Sequence, residues 1–152
     1  MFADWALASL HHLAIFTLAA TLAAELALLT IDVDAKAIGR LARIDMAYGL
    51  SATAVVIVGI ARVIWGAKGY EYYMANHIFW TKMVLFAIVG LLSIAPTLRY
   101  LGWRKALRAD AAFRPATAEV ARMRIYLWAE AAFFLAIPVA AAAMARGYGM
   151  AN

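Results

Sequence analysis

Four long apolar stretches, Trp5–Leu29, Met46–Trp65, Ile78–Leu98 and Ile125–Ala145, dominate this 152-residue chain and leave few ways for it to fold. Each is long enough to cross the hydrocarbon core of a bilayer, which takes about 20 mainly apolar residues per helix. The alternative, a soluble helical bundle, requires a polar face on every helix, and these stretches offer almost none. With 67% hydrophobic and 15% charged residues and a mean hydropathy of +0.80, the chain lies outside the range of soluble globular domains. The connections are short, so consecutive helices are expected to be antiparallel neighbours. The expected fold is therefore an all-α, integral membrane, antiparallel four-transmembrane-helix bundle that forms one domain over residues 1–152. Alanine is common throughout, and small residues let membrane helices approach closely.

The opening Met-Phe-Ala-Asp has no basic segment, and no small-residue cleavage site precedes Leu29, so the first helix is expected to be retained. The absence of cysteine excludes disulfides, thiolate metal sites and covalently attached c-type haem.

Lysine and arginine fall mainly on one side of the predicted spans. The first connection carries Lys36, Arg40 and Arg43, and the third carries Arg99, Arg104, Lys105, Arg108, Arg114, Arg122 and Arg124. The other side holds Lys68, with Arg62 and Arg146 at helix ends. Positive residues in short loops remain in the cytoplasm, so both termini are expected on the periplasmic side of a bacterial inner membrane. Trp5, Trp65 and Trp80 would mark one interface, and Trp103 and Trp128 the other. The net charge of +5 is accounted for by topology and anionic headgroups, without a nucleic-acid partner.

Punctuation is sparse. Pro115 breaks the chain before the fourth span, with Thr117 as the expected N-cap. Pro96 and Pro138 lie within spans, where each removes a backbone hydrogen bond and is a candidate kink. Gly66–Asn76 reads as an interfacial loop in which tyrosines meet headgroups.

Against this background His11, His12 and Lys82 stand out as polar residues inside spans. His11 lies about 9 Å inside Trp5 and Lys82 about 6 Å inside Ile78, at about 1.5 Å of rise per residue. Arg62 is close to the Trp65 end of the second span. In the predicted topology all three occupy the outer half of the bundle on different helices and could converge. A second group, Glu25, Asp45 with Arg43, and Glu130, falls in the cytoplasmic half, where opposite charges are expected to pair. Helical phase puts His11 and Glu25 within about 40° on one face, while His12 points about 100° away from His11. His11 is thus the better internal ligand. Lys82 shares a stripe with Phe86, Val89 and Ser93 that aims it inward, although a lysine so near the interface can also snorkel out.

Imidazole is a good axial ligand for haem iron, and basic side chains pair with haem propionates. A copper-handling protein is a second reading, using His11, His12 and His77 with Met74 or Met83. A third is a non-enzymatic accessory subunit of a larger membrane complex, its charges serving only topology and pairing.

The stretches LASLHHLAIF, YGLSATAVVIVGIARV and NHIFWTKMVLFAIVGLLSIAPTLRYL resemble a family of small bacterial four-helix membrane proteins of unknown function. More distantly, the layout resembles the HemJ-type protoporphyrinogen oxidases and the membrane part of CopD-type copper-resistance proteins. In the HemJ pattern a Leu-His pair early in the first helix and a lysine in the third are functional. They fall here on Leu10-His11 and on Lys82 in Trp80-Thr81-Lys82-Met83. The Trp and Pro-Arg that follow the histidine in that pattern are missing, and Glu25 stands in roughly that region. The resemblance implies a haem-b-dependent redox site. His11 would be the iron ligand and His12 a further cofactor-binding residue, with Lys82 a second ligand or a propionate or substrate contact. Arg62 would pair with a carboxylate of haem or porphyrin. It further implies a porphyrin substrate and a quinone or other membrane electron carrier, with a homo-oligomer or larger complex as a further expected partner.

Overall fold

The structure is a computed structural model that describes residues 2–150. Five helices follow one another: α1 (Phe2–Leu28), α2 (Ala35–Trp65), α3 (Gly69–Ala75), α4 (His77–Ala109) and α5 (Thr117–Ala145). All but the short α3 are long and apolar enough to span a membrane. The chain is thus an all-α bundle of four spanning helices.

The bundle follows from one repeated spacing. Residues that turn inward recur alternately three and four positions apart: His11, Ile15, Leu18, Leu22 and Glu25 on α1, and Asp45, Tyr48, Ala52, Val55, Gly59 and Arg62 on α2. The pattern continues through Phe79, Lys82, Phe86, Val89, Ser93, Pro96 and Tyr100 on α4 and through Val120, Met123, Leu127, Glu130 and Phe134 on α5. This is the seven-residue period of helices that wrap around one another in a left-handed bundle. The opposite faces carry exposed Phe16, Leu50, Ile57, Leu91, Leu135 and Val139, which suit lipid chains. The inward stripes therefore hold the charged residues of the four apolar stretches, Glu25, Arg62, Lys82 and Glu130, the reverse of a soluble bundle.

α1 packs closely along α2, and α4 along α5, while α2 with α4 and α1 with α5 close the ring. The cyclic order is α1–α2–α4–α5. One end of the bundle carries Phe2, Trp65, His77 and Ala145, and is called here the terminus end. The other carries the α1–α2 and α4–α5 connections, and is called the connection end.

Helices run beyond the apolar stretches at the connection end. α2 begins at Ala35 rather than Met46, α4 continues to Ala109 rather than ending at Leu98, and α5 begins at Thr117 rather than Ile125. Hydropathy ends where the hydrocarbon ends, but the inward stripe goes on, burying Ile38, Leu41, Trp103, Val120 and Met123 while Arg40, Arg43, Arg104, Arg108 and Arg122 face outward. Asp34 caps α2 by accepting a hydrogen bond from the Ala37 N–H at 2.7 Å. Thr117 is the first residue of α5 rather than its cap, and Ala116 at the cap position supplies no side-chain bond. Pro96 and Pro138 interrupt neither helix.

At the terminus end the expected Gly66–Asn76 loop is largely the helix α3. Asn76, fully buried, accepts from the Ile78 and Phe79 N–H groups and donates to the Tyr148 carbonyl at 3.0 Å. The close return of the chain requires Gly149, whose φ is +85° and whose Cβ, if present, would lie 2.6 Å from Ile78. Tyr72 donates to the Met144 carbonyl, so this tyrosine serves the fold. Trp5, Trp65, Trp80 and Trp128 are exposed, whereas Trp103 is 2% exposed and donates to Glu119 at 3.0 Å. Trp103 is therefore a core residue and not part of an interfacial belt.

Candidate functional site

The inward stripes gather two sets of charged residues, one near each end of the bundle. His11 and Glu25 mark the two levels on α1 and lie about 21 Å apart along its axis.

The set at the terminus end consists of His11 from α1, Arg62 from α2 and Lys82 from α4. All three are half-buried, and Arg62 and Lys82 lie close enough for their charges to act on the His11 ring. The imidazole rests against α2 at Gly59, where an added Cβ would stand 3.3 Å from Cε1. Gly59 thus lets the ring lie flat on the neighbouring helix. His11 Nδ1 and Arg62 Nε are buried without a hydrogen-bond partner. Among the described residues the sole ion pair is Arg99–Glu119, at 2.9 Å and half-exposed near the connection end. Among the described residues no carboxylate stands within ion-pair distance of Arg62 or Lys82. His12 is exposed, and its Nδ1 lies 2.7 Å from the Ala8 carbonyl, so it belongs to the outer surface of α1.

This arrangement can do two things chemically. An imidazole nitrogen with no internal partner is free to bind a metal centre, and the adjacent guanidinium and ammonium groups attract anions, carboxylates above all. Those are the two demands haem makes of a protein: a nitrogen donor for iron and cations for its propionates. The concavity at this end, about 560 Å³, lies between the beginning of α1 and the end of α2 and is lined by Asp4, Trp5, Trp65 and Ala67. It does not reach the three basic residues. The three side chains are thus of the types that haem binding would call for.

The copper set of the sequence reading is not assembled. His77 is exposed at the start of α4, and no three His, Asp or Glu side chains among the described residues stand at metal-binding distances.

The second set differs from expectation. Glu25 on α1, Asp45 on α2 and Glu130 on α5 are 2%, 8% and 1% exposed and lie within electrostatic reach of one another. They do not pair with arginine. Arg43 turns outward to the Gly39 carbonyl, and Arg124 donates to the Leu29 carbonyl at 3.2 Å. Asp45 instead accepts from the Thr97 hydroxyl at 2.6 Å. Tyr48 faces Glu130 closely, without the alignment of a full hydrogen bond. The Tyr100 hydroxyl, on a fully buried side chain, faces all three carboxyls and has no partner.

Sequence reading located the charged members of both sets and missed Gly59, Tyr48, Thr97 and Tyr100. Tyr48 follows Asp45 on the same inward stripe, and Tyr100 continues the stripe of Lys82, Phe86, Val89 and Ser93, so extending the seven-residue period would have found both.

No curated protein and no solved structure matches the chain. Residues 3–149 match the family described as "Predicted membrane protein (DUF2214)", and with that match covering nearly its whole length the chain belongs to this family.

Proposed function

We propose that the protein is a haem-b-binding redox protein of a bacterial inner membrane, with its terminus end on the periplasmic side. The observation that carries this reading is the meeting of His11, Arg62 and Lys82, from three helices, with no carboxylate among the described residues at ion-pair distance. A set of cations half-buried in a bilayer is costly unless an anion joins it. The resemblance of Leu10-His11 and Trp80-Thr81-Lys82-Met83 to the HemJ pattern supports haem as that anion's carrier and oxidation of a porphyrinogen as the activity. The arginines and lysines that crowd the connection end support its cytoplasmic placement.

In this reading His11 holds the iron through its ring nitrogen. Arg62 pairs with a carboxylate of haem or of a porphyrin substrate, and its planar guanidinium fixes that carboxylate's direction. Lys82 would hold a second carboxylate or, uncharged, serve as a further ligand. When bound, haem would supply one-electron chemistry, with a quinone or another membrane carrier as the expected electron acceptor. A second copy or a larger complex would supply the other wall of the site.

The test is the visible spectrum of the protein purified in mild detergent, as isolated and after dithionite. A Soret band with sharp reduced α and β bands is expected. Porphyrinogen oxidation by the same preparation, weakened in Lys82→Met and Arg62→Gln, would establish the activity. A featureless spectrum after haem is supplied, with stable co-purification of a partner, would overturn the reading in favour of an accessory subunit.

A further inference from the structure

The carboxyl group near the connection end takes no part in that reading, yet it presents the sharper physical problem. Glu25, Asp45 and Glu130 are brought together from three helices and shielded from the surroundings more completely than the basic residues. Three ionised carboxylates at this depth would repel one another, and among the described residues no lysine, arginine or histidine stands at ion-pair distance from them. The groups that face them from the packed helices are Tyr48 on α2 and Thr97 and Tyr100 on α4, all of them hydroxyls. An isolated buried charge in a bilayer is neutralised, by a proton or by a counter-ion, rather than left bare.

Hydrogen-bond supply decides between the two. Ionised carboxylates are acceptors only, and Thr97 spends its hydroxyl on Asp45. Glu25 Oε1 and both carboxyl oxygens of Glu130 are buried without a partner. The Tyr100 hydroxyl is also unpartnered. It is fully buried and faces the carboxyls from a different helix. Such a group lacks donors more than it lacks charge, and a proton on a carboxyl oxygen supplies both neutrality and a donor. A multivalent cation would instead need the carboxylates gathered at ligand distances, which they are not among the described residues.

We propose that Glu25, Asp45 and Glu130, with Tyr48 and Tyr100, form an intramembrane proton-binding site. The site holds exchangeable protons among its carboxyls and hydroxyls, and it is independent of whatever the basic group binds. The hydroxyls of Tyr48 and Tyr100 face carboxyls contributed by other helices, so a protonated carboxyl has polar neighbours within the bundle interior.

Infrared spectroscopy of the full-length protein in lipid tests this without reference to haem. At neutral pH the wild type is expected to show the carbonyl-stretch band of protonated carboxylic acids. The band should shift in D2O, showing exchange, and should fade as the pH is raised. Glu25→Gln and Glu130→Gln should each remove part of it, and the double variant most of it, with helical content retained. Tyr100→Phe should leave the band in place while shifting its frequency, through the loss of a polar group facing the carboxyls. Absence of the wild-type band at neutral pH would overturn the proposal, and this result needs no variant to fold. Persistence of the full band in the double variant would also overturn it. So would disappearance of the band on adding sodium, which would make the site one for a monovalent cation.

Discussion

The two ends of the bundle interior are built on the same stripes and carry opposite charge, yet they differ in how they are closed. The basic set is half-buried, with His11 Nδ1 and Arg62 Nε enclosed but none of the three side chains sealed off as a whole. The acidic set is sealed, its short carboxyls held among tyrosines and a threonine. A half-buried cationic group meets an anion that arrives from outside. A sealed carboxyl group admits little beyond a proton. Position along one stripe therefore divides the bundle into an end suited to a ligand and an end suited to protons.

The largest effect expected from breaking this division is at His11. His11→Ala should abolish the haem bands, because Nδ1 of that ring is the unpartnered nitrogen in the basic set, while the carboxylic-acid infrared band stays unchanged. Arg62→Gln and Lys82→Met come next. Each removes a charge-assisted contact worth about 1.5–3 kcal/mol, so haem retention measured by transfer to apomyoglobin should weaken roughly tenfold or more for each.

Smaller effects separate the two ends structurally. Gly149→Ala puts a side chain into a left-handed backbone and against Ile78, at a cost of about 1–3 kcal/mol. Amide exchange should quicken at His77–Phe79, where the Asn76 cap and the His77 N–H bond to Gly149 are lost, and should be unaltered around Glu25. Glu119→Gln weakens the Arg99 pair and the Trp103 bond at the connection end. That pair is half-exposed, so thermal unfolding should show a loss of no more than about 1 kcal/mol. A larger loss would mean that the connection end depends on this contact more than on the stripe beneath it.

Much of the fold was legible because a bilayer imposes a length and a polarity that few sequences meet by chance. The spans, their antiparallel order and the inward phase of His11, Glu25 and Lys82 all follow from that. The helix ends at the connection end were not legible from hydropathy, since α2, α4 and α5 continue into water on a stripe of only one residue in three or four. Trp103 looked interfacial because its type is common there, and only the position of Glu119 across the α4–α5 turn makes it a core donor. The pairing of Asp45 with Arg43 failed for a helical reason. The two are two positions apart on α2, which places them on different faces, and the carboxyl turned inward while the guanidinium stayed out. Tyr100 was hidden by being an ordinary aromatic, whose meaning depends on carboxyls contributed by three other helices.

The separation of the two ends is tested most directly by one reduced-minus-oxidised visible spectrum, recorded for the wild type, for His11→Ala and for the Glu25→Gln/Glu130→Gln double variant, each supplied with haem. Haem bands of equal intensity in the wild type and the double variant, and none in His11→Ala, are the result expected of a ligand site at the terminus end and a separate proton site at the connection end. Bands absent from all three, or lost in the double variant while that protein remains folded, would contradict it.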